Sequence, residues 1–123
     1  MYTSMDRSLV YERYHFLRDL GNQTSKQTRE GFVRLMNPEM MEALKIVVDC
    51  IVYGWIVVSP IDYREFRRHV DDLRQIVGAR ISFTRKKRTL VRIHKLLPRL
   101  LRERYIMRAI AVERQRNRLQ AES

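Results

Sequence analysis

The positive charge of this chain sits almost entirely at one end. From Met1 to Ala79 there are 11 Lys and Arg against 11 Asp and Glu; from Arg80 to Arg118 there are 14 against Glu103 and Glu113, and Glu122 brings the whole chain to +11. A stretch with so much like charge resists compaction. It can join a folded domain only if its cations sort onto one face and its apolar residues onto another. That requirement points to amphipathic helix. The rest of the composition agrees, since four Gly and three Pro leave few turns for a many-stranded sheet. A hydrophobic fraction of 45% lies in the globular range, and 123 residues make one domain, or one domain and an arm.

The periodicity predicts an all-α fold of four to five helices: a compact helical body, an N-terminal helical arm and a basic C-terminal helix kinked near Pro98. Residues 5–20 predict the first helix. Leu9, Phe16 and Leu20 share a stripe, Val10, Tyr14 and Leu17 lie beside it, and Gly21-Asn22 is a stop. A polar linker and a short helix near 27–36 complete an expected arm over 1–37. The body is expected over 38–112, and 113–123 reads as a frayed basic tail.

Asn37-Pro38-Glu39 is a helix start, with an Asn cap, Pro at the first helical position and an acid in the first turn. The helix is expected to reach about Val58, with a polar stripe of Glu42, Lys45, Asp49 and Tyr53. Its β-branched density leaves a buried strand over 50–58 as the alternative. The apolar run from Cys50 to Val58 is far short of the roughly 20 residues of a membrane span. Ser59-Pro60-Ile61-Asp62 is a second start, of the capping-box type. Tyr63, Phe66, Val70, Leu73 and Val77 follow at helical spacing, Arg67–Asp71 and Arg68–Asp72 are i,i+4 pairs, and Gly78 ends the helix.

The basic segment carries the functional expectation. Read as one helix, Arg85, Arg88, Arg92, Lys95, Arg99 and Arg102 step by three and four and fall on one stripe, opposite Leu90, Ile93, Leu97, Leu100 and Leu101. The stripe would be about 25 Å long, and a DNA duplex offers one phosphate per about 1.7 Å of axis. Lys86, Lys87, Arg114, Arg116 and Arg118 would add charge around it. Arg outnumbers Lys 20 to 5, which suits bidentate phosphate contacts. Beyond Pro98 a second apolar set, Tyr105, Ile106, Ala109 and Ile110, sits nearer the basic stripe. Either the chain bends at 98 or near 102, or that set packs on another subunit. Together with Trp55 in the apolar helix, it forms the expected self-association surface.

The function expected from these features is non-catalytic, largely sequence-independent binding of nucleic acid, DNA or RNA and preferably duplex. The protein would act as a self-associating packaging or architectural component, of a virion or nucleoid type. The alternative is a membrane-surface or protein-interaction module built on the Leu-rich, Arg-lined stretch 88–102. Against it stands the lone Trp55, outside the basic segment. A helix-turn-helix over 61–97 fits poorly: the link GARISFT is long and the second helix has little polar variety for reading bases. Arg85-Lys86-Lys87-Arg88 also fits a nuclear-localisation or calmodulin-target pattern, which recurs in basic helices by chance. Tyr2, Tyr11, Tyr14 and Phe16, interleaved with Arg7, Arg13 and Arg18, could stack bases, though core packing or a subunit contact is the preferred reading.

Nothing in the sequence calls for catalysis, a metal or a cofactor. His15, His69 and His94 have no ligand spacing, and Cys50 is the single cysteine. There is no Gly-rich phosphate loop, GxSxG or CxxC. The first residues carry acids and no apolar run, unlike a signal peptide. An intracellular setting or a virus particle is therefore expected.

Overall fold

Short polar side chains set the helix starts. Ser8, Ser25, Asn37, Ser59 and Ser82 each accept a backbone N–H from the first turn that follows, a contact worth about 1 kcal/mol apiece. The computed structural model describes residues 7–122, and these form nine α-helices: α1 Leu9–Glu12, α2 Tyr14–Gly21, α3 Lys26–Arg34, α4 Pro38–Val52, α5 Pro60–Arg68, α6 Val70–Val77, α7 Phe83–Arg92, α8 Leu97–Leu100 and α9 Glu103–Glu122. A 3-10 turn at His94–Leu96 joins α7 to α8. Met5, Asp6 and Tyr2, which figured in the sequence expectations, lie outside the described residues.

The all-α class is as the periodicity predicts; the helix count is higher than four to five. The difference comes from one-residue breaks. Arg13, His69 and Ile93 have φ/ψ of −111°/20°, −119°/23° and −104°/26°, close to the bridge region that turns a helix without leaving it far behind. None is Gly or Pro, so no punctuation announces them. Each splits one expected helix in two and redirects the chain, so that α1, α2, α6 and α8 come to lie on α4.

The apolar helix α4 ends at Val52, short of the expected Val58. Gly54, at φ 71°, takes the left-handed position. The N–H of Trp55 bonds the Cys50 carbonyl at 2.9 Å and that of Gly54 the Ile51 carbonyl at 3.3 Å, the double closure of a Schellman turn. Residues 57–59 then run without regular structure, and no strand forms among the described residues. The turn swings Trp55 out of the core, where it is 59% exposed.

Helix α4 is the centre of the fold, packed on α1, α2, α6, α8 and α9. One apolar cluster gathers Val10, Leu17, Leu20 and Val33 with Leu44, Val47, Leu73, Leu90, Leu97, Leu100 and Ile106. The expected N-terminal arm is therefore part of the body: α1 and α2 bury their stripes against α4, α8 and α9, and α3 lies on α7. At Gly21 an added Cβ would stand 2.8 Å from the Leu101 side chain, so the α2–α8 contact requires glycine.

The basic segment is not one kinked helix. Pro98 lies in the first turn of α8, a restart that tolerates its missing N–H. A second break at Leu101–Arg102 redirects the chain into α9. That redirection corrects the self-association expectation. Tyr105, Ile106, Ala109 and Ile110 are all at or below 3% exposed, inside the same core as Leu90 and Leu97. Of the five residues assigned to a subunit contact, Trp55 alone is at the surface. Residues 113–122 continue α9 as helix and are not a frayed tail. Glu113 there accepts from the Ser8 hydroxyl at 2.6 Å and from the N–H groups of Leu9 and Val10 at 3.0 and 3.2 Å. The carboxylate thus holds α1 by its N-terminus.

Candidate nucleic-acid interface

The stripe expected from six cations divides into two groups with different surroundings. The first lies on α7 and the turn after it. Ser82 caps α7 by accepting from the Arg85 N–H at 3.2 Å. Leu90 and Thr89 point inward, and the Thr89 hydroxyl bonds Gln75 of α6 at 3.1 Å. That fixes the rotation of α7, so Arg85, Arg88, Arg92 and Lys95 are outward and exposed. Arg92 meets Asp72 at 2.6 Å in an exposed pair, the kind that contributes little and exchanges readily. No carboxylate of the described residues pairs with Arg85, Arg88 or Lys95.

The flank of α7 facing α3 adds to this group. Lys87 donates to the Arg34 carbonyl at 2.8 Å and stands 4.6 Å over the Phe83 ring. Between the two helices lies a groove of about 320 Å³, with Val33 and Val91 in its wall and Arg34, Lys87 and Arg88 along it, beside Glu30 and Thr84. Arg29 reaches the His94 ring at 3.4 Å. Burial lowers the pKa of His94, and Arg29, Lys26 and Lys95 lower it further while Glu30 opposes them. Lys26, Arg29 and Arg34 come from the charge-balanced half of the chain; no local pattern there singles them out.

Lys86, expected to add surface charge, is buried at 7% exposed. Burial lowers its pKa, and Lys45 adds to this while Glu42 opposes it. It belongs to the interior of α7.

The second group is turned inward. Arg99 bonds Asp62 at 2.9 Å, and Arg102 bonds both Asp62 oxygens at 2.7 and 3.0 Å. The Tyr105 hydroxyl donates to the same carboxylate at 2.6 Å and accepts from the Ser59 N–H at 2.9 Å. Asp62 is fully buried. Burial pushes its carboxyl up, but the bonds from Arg102, Tyr105, Arg99 and Ser59 outweigh that and hold it well below the usual carboxylate range. The same bond raises the pKa of Arg102. These two arginines fasten α5 to α8 and α9. They are corrected from ridge to internal clamp, because a buried carboxylate needs compensating charge more than a solvated guanidinium needs a phosphate.

The remaining cations lie on α9. Arg114 stands 4.9 Å over the Tyr11 ring; Arg116 stands 4.7 Å over Trp55 and bonds Asp49 at 3.4 Å; Arg118 is exposed. Helix α9 packs on α1, α2 and α4, whereas α7 packs on α3 and α6, so these three do not extend the α7 face. Tyr11, Tyr14 and Phe16 form no stacking row: Phe16 packs on Phe32 and the Tyr14 hydroxyl donates to Glu103 at 2.6 Å.

A concavity of about 750 Å³ at the junction of α2, α8 and α9 mixes Arg18, Arg102 and Arg104 with Glu103. Among the described residues no three His, Cys, Asp or Glu side chains converge as a metal site. Cys50 is buried, its thiol pushed up to about 11 by desolvation. No described helix is long and apolar enough to cross a membrane. Compared with known proteins, the chain matches no family model, and no curated protein or solved structure is significantly similar to it.

Proposed function

We propose that the protein binds nucleic acid without catalysis and largely without sequence preference, through phosphate contacts made by α7. One observation carries this reading: Arg85, Arg88 and Lys95 are exposed on α7 and its following turn, with no carboxylate partner among the described residues. Arg34 and Lys87 flank them across the α3–α7 groove. Arg85 to Lys95 covers about 15 Å at helical rise, shorter than the ridge expected from an unbroken helix but long enough to meet several phosphates of a duplex. Few polar side chains suited to base edges accompany the cations, which favours backbone contacts over sequence readout.

Fluorescence titration of two unrelated duplexes over a salt series tests it. With four or five phosphates neutralised, log K should fall against log salt with a slope near −4. The variant Arg85→Ala/Arg88→Ala/Lys95→Ala should bind at least about tenfold more weakly and with a slope flatter by roughly 2–3. Arg64→Ala/Arg67→Ala/Arg68→Ala removes the same formal charge from α5 and should retain most of the affinity. Equal losses in the two variants would mean that net charge, not the α7 face, drives binding.

A further inference from the structure

We propose that the exposed apolar cluster around Trp55 and Val57, together with the arginines of α9 beside it, is a docking surface for an anionic lipid bilayer. This rests on residues separate from the α7 face. The sequence set Trp55 apart from the basic segment; the fold brings them together. The Schellman turn at Gly54 projects Trp55 and Val57 outward, 59% and 79% exposed. Both line one shallow concavity with Arg108, Ala111 and Val112 of α9. Met107 lies one helical turn from Ala111 and Arg104 one turn from Arg108, and all four are exposed. Ile61, in the first turn of α5, is 62% exposed, and Arg64 follows it by three residues. Arg116 lies over the Trp55 ring and is shared with Asp49.

Three features identify the occupant. The first is composition: a Trp beside aliphatic side chains and arginines suits the headgroup boundary, where the indole sits at the interface, the apolar tips enter and the guanidinium groups meet lipid phosphate. The second is backbone satisfaction. The N–H groups of Gly54, Trp55 and Ile56 bond carbonyls of α4, the Val57 carbonyl accepts from Arg108, and the Ser59 N–H donates to Tyr105. The loop can leave water without stranding these polar groups. The third is charge. Arg104 and Arg108 share the stripe with Met107 and Ala111, and the one acid at its end, Glu103, accepts from the Tyr14 hydroxyl. A two-fold contact between copies would set arginines against arginines in a dehydrated seam, which disfavours a second copy; an anionic surface complements them.

Trp55 is the single tryptophan of the chain, so its emission reports the patch directly. Vesicles of mixed phosphatidylcholine and phosphatidylglycerol should shift the emission to the blue, and lipids brominated on their acyl chains should quench it. Phosphatidylcholine alone should do neither. Val57→Asp changes a side chain that packs little, so helical circular dichroism should be unaltered while vesicle affinity falls on the order of tenfold. The α7 variant Arg85→Ala/Arg88→Ala/Lys95→Ala should keep the blue shift and quenching even as duplex binding weakens, which separates this proposal from the previous one. Co-sedimentation with vesicles but no change in emission would overturn it, as would no binding at all. A blue shift that follows protein concentration without lipid would assign the patch to a second copy and overturn it too.

Discussion

Arg88 and Arg102 belong to one stripe by sequence spacing and end in opposite circumstances. Among the described residues no carboxylate pairs with Arg88 on α7, whereas Arg102 closes on the buried Asp62 through two hydrogen bonds. No Asp or Glu occurs between Asp72 and Glu103, so each cation's fate is decided by acids brought from elsewhere. Asp72 meets Arg92 at the rim; Asp62 draws Arg99 and Arg102 inward. Periodicity says which way a side chain leaves its own helix. It does not say what waits there. In this chain the outward group is available to a partner, and the inward group is committed to the fold.

The sharpest break of that comparison is Arg99→Ala/Arg102→Ala. It leaves a buried carboxylate with hydroxyl partners only, and should destabilise the protein by about 3–5 kcal/mol in urea unfolding. The pH response should invert as well. In the wild type the folded-state carboxyl of Asp62 is held below its unfolded value, so its contribution is present above the usual carboxylate range and lost as pH falls. In the double variant burial acts unopposed by guanidinium, and acid should lessen the penalty by protonating Asp62. A loss under about 1 kcal/mol would make the inward pair no different from a surface pair.

Asp62→Ala should cost less, about 2 kcal/mol, because the two arginine side chains are 36% and 40% exposed and can return to water. The α7 triple variant should change stability by no more than about 0.5 kcal/mol, its effect appearing in binding alone; a large loss of stability there would erase the contrast from the other side. The smallest effect belongs to His94, at the junction of the two groups. Its folded pKa is depressed, so the unfolded chain takes up the proton first and stability should decline as pH falls through and below the ordinary histidine range. His94→Gln should unfold at the same denaturant concentration as the wild type near neutrality and lose less on acidification.

The sequence announced its helix starts where a cap and a proline coincide, at Asn37-Pro38 and Ser59-Pro60. The helical class and the inward Leu90–Leu101 face were legible from period alone. The breaks at Arg13, His69 and Ile93 were not, because a bridge-region residue needs no special side chain. Gly54 follows a polar-stripe tyrosine and fits a C-terminal stop, but the apolar run continuing beyond it reads as more helix. Of the candidate site, Arg85, Arg88 and Lys95 were readable from spacing. The contributions of Arg34 and Arg29 were hidden in a neutral segment, and the removal of Arg99 and Arg102 depended on an aspartate about 40 residues earlier that reads locally as nothing more than a first-turn acid.

The Glu113 carboxylate on the first turn of α1 joins positions more than 100 residues apart. During synthesis α1 emerges more than 100 residues before the group that holds its amide ends. Helix α1 is four residues long, too short to persist in water unaided. It should therefore complete its docking after α9 has formed, as a late step of folding with a large loop to close. Until then Val10 and its neighbours leave part of the core open, and that interval is when the chain is most exposed to proteolysis and to association with other unfinished chains.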